Sequence, residues 1–274
     1  MDVPKLAQKI VGSTLVLFLL VGCRPPAATP TPVPPAKPTE APRMPTAAPP
    51  ATAMEFDTPS SFPTGLTWDG QYLWNCDFNS ETIYAIDPAD GSVIKSFRAP
   101  GTDPEGLTWD GKYLWHVDSG NSYTLGCAQA KLYIYKIDPR SGEAVQKFEA
   151  PGPGCNAEDL AWDGTYLWYV DGGKEEKTDG TSSIYKIDPD SGRIVANFDT
   201  PGEHPSGIAW DGSYLWLSDY ALARIYKIDP RSGNVVSSLD ALSDYPGGLA
   251  WDGRYLWCAD WRSGKIYRMD VGGE

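Results

Sequence analysis

One ten-residue phrase, Gly-Leu-Thr-Trp-Asp-Gly-x-Tyr-Leu-Trp, occurs five times with small changes along this 274-residue chain. The copies begin at Gly65, Gly106, Asp159, Gly207 and Gly248. Their first tryptophans, Trp68, Trp109, Trp162, Trp210 and Trp251, are spaced by 41, 53, 48 and 41 residues. An Ile-Tyr-x-Ile/Met-Asp stretch follows each copy, and after four of them come Ser/Asp-Gly and an apolar run ending in Phe or Leu. A repeat of this period cannot bury its own apolar face, so the copies must stack on one another.

Each unit reads as four strands. Strand A is Gly-Leu-Thr-Trp, and Asp-Gly supplies a two-residue hairpin turn because such turns need positive φ. Strand B is Tyr-Leu-Trp with the residues after it, and strand C is Ile-Tyr-x-Ile. An Asp-Pro-x-Ser-Gly turn leads to strand D, with Pro presetting one turn angle and Gly taking the left-handed one. Four-stranded units at this spacing predict an all-β chain, a five-bladed β-propeller. The fifth unit stops near Asp270 without a strand D, while Ala53-Met54-Glu55-Phe56-Asp57-Thr58-Pro59 matches the ends of other D strands, such as Phe198-Asp199-Thr200-Pro201. The N-terminal strand is therefore expected to complete the last blade and seal the ring.

The repeat also explains much of the composition. Ten of the 11 Trp hold repeat positions, five in strand A and five in strand B (Trp74, Trp115, Trp168, Trp216, Trp257). A large aromatic recurring at one place in every blade should pack between sheets. Trp261 stands outside the pattern, on an expected loop, where stacking on a ligand is the alternative to packing. The formal net charge is −13. The first 22 residues carry a net +1 and the next 31 a net +2, which leaves −16 on residues 54–274. That balance argues against binding nucleic acid through its phosphates. Fifteen Asp hold three repeat positions: the A–B turn, the end of strand C, and the end of strand B (Asp77, Asp118, Asp171, Asp219, Asp260). Turn Asp residues accept backbone N–H bonds, so a scaffold role is expected, with an acidic ring at the strand B ends as the alternative.

Function on a rigid scaffold concentrates where the repeat breaks. The B–C connections of blades 2 and 3 are long, Ser119 to Lys131 and Gly172 to Ser183, and the D–A loop between them is Pro151 to Glu158. All three share one face and should build a rim at the channel mouth. Cys127 and Cys155 lie in adjoining loops of this rim, and an exported chain can keep a disulfide there. Cys76 and Cys258 sit on strands B of the two blades that meet at the closure, either paired across the seam or buried as thiols. Glu105 precedes strand A of blade 2, and Glu158 with Asp159 holds the same place in blade 3, where other blades have Thr64, Ser206 and Gly247. Carboxylates converging at the mouth would suit Ca²⁺, an oxygen-liganded ion; otherwise no cofactor is expected. His116 follows Trp115 on strand B, as a general base or an ordinary buried His. With Asp118 and Asp171 of the same two blades, Glu105, Glu158, Asp159 and His116 make the candidate ligand site. No phosphate loop, dinucleotide fingerprint or Gly-x-Ser-x-Gly appears.

The N-terminus reads as an address. Lys5 and Lys9 precede an apolar run of 12 residues, Ile10 to Val21, too short to span a bilayer and suited to a signal-peptide core. Leu20-Val21-Gly22-Cys23 resembles the lipobox of bacterial lipoproteins, which implies lipidation of Cys23 after removal of residues 1–22 and anchoring at an extracytoplasmic membrane surface of the cell envelope. Eleven of residues 24–53 are Pro and none is aromatic. Residues 23–53 are thus expected as the lipidated Cys and an extended tether, reaching up to ~90 Å at ~3.1 Å per residue. The propeller follows as residues 54–274.

The repeat resembles bacterial extracytoplasmic repeats of the NHL and quinoprotein-like kind over nearly all of residues 54–270. The blade count resembles the plant and bacterial glutaminyl cyclases, and Phe62-Pro63-Thr64-Gly65-Leu66 is similar to their Phe-Thr-Gln-Gly-Leu opening. Where those enzymes carry a Glu-Ser-Thr-Gly segment with its catalytic Glu, this chain has Asn75-Cys76-Asp77-Phe78, and an amide does not shuttle a proton. Glu105-Gly106 is similar to the metal-binding Glu-Gly-Pro of sugar lactonases. The expectation is a membrane-tethered propeller lipoprotein that binds a small ligand or protein partner, or serves as a scaffold, without catalysis. The alternative is a glutaminyl-cyclotransferase-like enzyme or a calcium-dependent lactone hydrolase.

Overall fold

The computed structural model describes residues 52–126, 129–152, 156–173 and 182–272. Cys23 and the tether, Cys127, Cys155 and Lys174-Glu175-Glu176-Lys177 lie outside the described residues. The first strand is β1 (Thr52–Asp57). Blade 1 is β2 (Pro63–Trp68), β3 (Leu73–Asp77), β4 (Thr82–Ile86) and β5 (Val93–Arg98). Blade 2 is β6 (Pro104–Trp109), β7 (Leu114–Asp118), β8 (Tyr133–Ile137) and β9 (Ala144–Glu149). Blade 3 is β10 (Ala157–Trp162), β11 (Leu167–Asp171), β12 (Ser183–Ile187) and β13 (Ile194–Asp199). Blade 4 is β14 (Pro205–Trp210), β15 (Leu215–Asp219), β16 (Arg224–Ile228) and β17 (Val235–Asp240). Blade 5 adds β18 (Pro246–Trp251), β19 (Leu256–Asp260) and β20 (Lys265–Met269). Its fourth strand is β1, in the order β1-β20-β19-β18, so the ring closes as the repeat predicts.

The closure is held like the other seams. Five buried apolar clusters each bridge two neighbouring blades. At the closing seam Leu66, Leu73 and Ile86 of blade 1 meet Ala250, Trp257 and Ile266 of blade 5. Phe56 of β1 packs on Trp257 at 6.1 Å between ring centroids, as Phe97 packs on Trp74 at 5.9 Å and Phe198 on Trp168 at 5.9 Å. Burying such side chains contributes about 1.5–3 kcal/mol each, so the seams supply most of the cohesion.

The turn between strands A and B departs from the Asp-Gly expectation by one residue. Asp69 N–H donates to the Tyr72 carbonyl at 3.2 Å, which makes Gly70 and Gln71 the central pair, with Gly70 at φ 100°. Asp69 flanks the turn, and its Oδ1 accepts the N–H groups of Gln71 and Tyr72, both at 2.7 Å. Its Oδ2 accepts the indole N–H of Trp74 at 2.7 Å. All five blades repeat this bond, at 2.7 to 2.9 Å. In blades 2, 3 and 4 a strand C lysine completes the unit: Lys186 Nζ lies 3.1 Å from Asp163 Oδ2 and 4.8 Å above the Trp168 ring. The strand B Trp and turn Asp are therefore scaffold.

The strand-B-end Asp residues are scaffold as well. Asp77 Oδ2 accepts Phe62 N–H at 2.7 Å from the D–A loop, and Oδ1 accepts Ser80 N–H at 2.7 Å from the B–C turn. Asp219 and Asp260 repeat the arrangement. Each carboxylate ties two loops of one face together. Cys76 and Cys258 are buried free thiols in different clusters, and burial pushes both thiols up from their ordinary pKa.

Candidate functional site at the channel mouth

The five A strands converge on the axis, and four of the five residues that open the repeated phrase are glycine. The packing explains this. A Cβ on Gly207 would lie 2.1 Å from the Gly247 carbonyl oxygen, on Gly248 2.4 Å from the Thr64 carbonyl oxygen, and on Gly106 2.4 Å from Asp159 Cα. At this level only blade 3 carries a side chain, Asp159, which is 1% exposed. Its Oδ1 accepts N–H bonds from Leu107 at 3.0 Å and Leu160 at 2.9 Å, and its Oδ2 accepts Ile208 N–H at 3.0 Å. Burial pushes its pKa well above the ordinary carboxylate value, against the backbone hydrogen bonds. Asp159 is thus a tie between A strands at the axis and does not line the mouth.

One residue earlier, each A strand has an irregular register, as between Pro63 and Leu66 or Ala157 and Leu160. Such bulges re-aim a side chain, and here they bring Thr64, Glu105, Glu158, Ser206 and Gly247 to the mouth. A cavity of about 260 Å³ opens there, lined by these residues with Phe62, Asn156, Tyr220, Gly248 and Trp261. Glu105 is 7% exposed. Thr64 Oγ1 donates to the Pro104 carbonyl at 2.9 Å, and Ser206 Oγ to the Pro246 carbonyl at 2.6 Å, so each hydroxyl points its proton at the next blade. Trp261 packs against Phe62 at 5.3 Å, Tyr245 at 4.9 Å and Tyr220 at 6.0 Å, and Tyr220 Oη lies 3.2 Å from His204 Nδ1.

Of the six candidate residues, the structure brings Glu105 and Glu158 to the cavity. Asp118 holds the N–H groups of Thr102, Asp103 and Gly120, and Asp171 Oδ1 that of Gly173. His116 is fully buried inside blade 2, with Nδ1 3.0 Å from the Gly106 carbonyl oxygen. Sequence reasoning misses Phe62, Asn156 and Tyr220. A signal for part of the aromatic wall lies in the repeat: the residue after each strand-B-end Asp is Phe78, Ser119, Gly172, Tyr220 and Trp261, of which Tyr220 and Trp261 line the cavity and Phe78 packs on Phe62 at 5.7 Å between ring centroids. The residue at this position is aromatic in blades 1, 4 and 5 and small in blades 2 and 3, where the mouth position is acidic. Gly172 leaves the space that the Glu158 carboxylate occupies, since a Cβ there would lie 2.1 Å from Glu158 Oε1.

Burial holds the His116 pKa at about 4, below its ordinary 6.5. Below pH 6.5 the unfolded chain takes up a proton that the native chain refuses until about pH 4. Stability is therefore lost as pH falls through that window, by up to about 3 kcal/mol from this group. His116→Asn copies Asn75, whose Nδ2 donates to the Gly65 carbonyl at 2.9 Å in blade 1. It is expected to remove this share of the acid loss, read from urea unfolding of both proteins at pH 7 and pH 4.

The sequence model of the SMP-30/gluconolactonase/LRE-like region matches residues 62–274. The chain belongs to that family. No curated protein matches it by sequence. Among solved structures it is similar to glutaminyl cyclase of Myxococcus xanthus, at 15% identity, covering 83% of this chain and 100% of that one with a TM-score of 0.66. A chain of the nidogen/laminin complex is 20% identical over 77% of each chain, with a TM-score of 0.52. At these identities the likeness is one of fold. The lactonase resemblance implies a metal at Glu105. Among the described residues, however, no three His, Cys, Asp or Glu side chains are grouped to hold one. Ca²⁺ takes about 6–8 oxygen ligands, whereas Glu105 and Glu158 are the two carboxylates in the cavity lining and the adjacent Asp159 is committed to backbone N–H groups. The described side chains do not fit a Ca²⁺ centre.

Proposed function

We propose that this chain is a binding propeller of the bacterial cell envelope, held at an extracytoplasmic membrane surface by lipid on Cys23, that takes a small ligand at the channel mouth without turning it over. The observation that carries this reading is the mouth cavity, with Glu105 and Glu158 on one side and Phe62, Tyr220 and Trp261 in its lining. A ligand smaller than drug-sized matches its volume, since sites for drug-sized ligands are about 300–1,000 Å³. The absence of turnover is supported by Thr64 and Ser206, whose hydroxyl protons go to backbone carbonyls rather than to a base.

The purified chain, incubated with N-terminal-Gln peptides and with sugar lactones, is expected to give no product above the blank. Turnover that disappears in Glu105→Gln would overturn the non-catalytic reading in favour of the cyclase or lactonase alternative. Cys23→Ser is expected to move the protein from the membrane to the soluble fraction. Retention at the membrane would overturn the lipid anchor.

A further inference from the structure

We infer that the propeller docks on a lipid surface through the rim opposite the channel mouth, so that the mouth opens away from the membrane. The inference rests on the anchoring at Cys23 proposed above and adds the contact surface and its orientation. Among the described residues eight large hydrophobic side chains are exposed. Six of them, Val93, Ile94, Val145, Ile194, Val195 and Val236, lie at the starts of β5, β9, β13 and β17, with exposures of 46% to 56%. Singly scattered apolar residues need no explanation, whereas six at one position of a repeat do. Edge strands are ordinarily blunted with charge or Pro, and these carry aliphatic side chains instead.

The register places them. Trp68, Leu73, Ile86 and Val93 are successive partners across blade 1, while Pro63 pairs with Asp77 at the mouth end. The start of strand D is therefore at the end away from the mouth. Strand D is bulged there: Ile86 faces Val93 and Ala85 faces Lys95, which leaves Ile94 as the extra residue. The strands β9, β13 and β17 repeat the shift. The exposed residues thus stand at one level around four of the five blades. In the fifth, the same place is Thr52, opposite Met269, where the chain arrives from Cys23.

Geometry and charge then select the partner. A rim repeated at one level around a ring is matched by a planar surface, which meets several blades at once, whereas a peptide would meet one or two. A second copy laid face to face would bring like charges together. The nine connections at this end, 69–72, 110–113, 163–166, 211–214, 252–255, 87–92, 138–143, 188–193 and 229–234, carry twelve carboxylates against five Lys and Arg. Phospholipid headgroups without net charge avoid that repulsion. The tether from Cys23 enters at this same rim and keeps it within ~90 Å of the bilayer. Apolar contacts too weak to hold a free protein through washing then act at high effective concentration.

The test is partition of residues 24–274, which contain the whole closed ring but not the lipidated Cys, into phosphatidylcholine vesicles at millimolar lipid, read by sedimentation. Because Cys23 is absent, failure of the rim is a separate result from failure of the anchor, which the Cys23→Ser fractionation reads. Measurable partition is expected, and Ile94→Ser/Val145→Ser/Val195→Ser/Val236→Ser should weaken it at least about tenfold. Leu222→Ser, which removes the most exposed of the eight side chains from the mouth end, should leave it unchanged within about twofold. The pair Val195→Ser/Val236→Ser, expected to cost about threefold, keeps the inference testable if the fourfold variant loses its fold. No partition, equal partition of the wild type and both rim variants, or loss on Leu222→Ser alone overturns the inference. Partition that rises severalfold with added phosphatidylglycerol and vanishes in salt would overturn it too, since charge would then replace apolar contact. A dimer in analytical ultracentrifugation that the fourfold variant abolishes, without vesicle binding, would assign the rim to a second copy instead.

Discussion

Asp159→Ala is expected to lower the melting temperature of the propeller by on the order of 10 °C. Three backbone donors are responsible. Leu107, Leu160 and Ile208 point their N–H groups at this one carboxylate in the interior of the ring. Each buried donor left without an acceptor costs about 1–3 kcal/mol. Release of a buried carboxyl offsets part of the loss, which leaves roughly 3–5 kcal/mol, and each kcal/mol shifts melting by about 2–4 °C at this size. Asp159→Asn should lose less, because the amide keeps one acceptor oxygen. The pH profile separates charge from geometry. A carboxyl whose folded pKa is raised contributes stability at low pH that is lost as pH rises through that pKa. Asp159→Asn should therefore remove a decline in stability that begins as pH rises above the ordinary carboxylate range. Calorimetric melting of the three proteins across pH checks both statements. A melting point for Asp159→Ala within about 2 °C of wild type, a limit taken as the smallest shift worth about 1 kcal/mol, would remove Asp159 as the axial tie.

Gly207→Ala is the companion experiment, expected to cost about 3 kcal/mol or more, beyond the usual range for an added methyl group. The new Cβ would lie 2.1 Å from the Gly247 carbonyl oxygen and 2.7 Å from Leu249 N. Both obstacles are backbone of the next inner strand, so no side chain can swing away. Relief requires blades 4 and 5 to separate, which opens the seam held by Leu249, Leu256 and Trp216. Gly212→Ala is a different case, since nothing lies within 4 Å of a Cβ there and only its φ of 98° opposes the change. Unfolding in guanidinium chloride should show Gly207→Ala as the more damaging of the two. The reverse order would mean that the axis is looser than the strand spacing implies.

Together these positions show why a ring of five blades has so little room at its centre. Four glycines let the inner strands touch, and the single side chain admitted at that level is spent on joining them. The axis is thereby closed at this level, and one residue above it the bulge in four of the five A strands brings a side chain to the mouth. The consequence for Glu158 and Asp159 is a division of labour between adjacent residues. One faces the cavity and the other holds the strands.

Much of this is legible in the amino-acid sequence alone. The fivefold phrase determines the strand count, the blade count and the closure by the N-terminal strand, because a repeat of four short strands has few ways to bury its aromatic residues. The scaffold roles of the strand B Trp and turn Asp follow from recurrence. Glu105 and Glu158 stand out for the same reason in reverse, as departures at one repeat position. Three-dimensional placement decides the rest. Whether a carboxylate faces solvent, cavity or backbone depends on a one-residue shift in a bulge, and the pattern of residue types does not encode that shift. This is why Asp159 reads as a candidate beside Glu158 and is found committed to the scaffold; His116, Asp118 and Asp171, on strands B, are held instead by backbone groups that only the folded ring brings beside them. It is also why the aromatic wall emerges only when blades 1, 4 and 5, far apart in the chain, are brought around one axis. Local periodicity carries the information for strands and their stacking, whereas a site made of one residue from each of several blades exists only once the ring has closed.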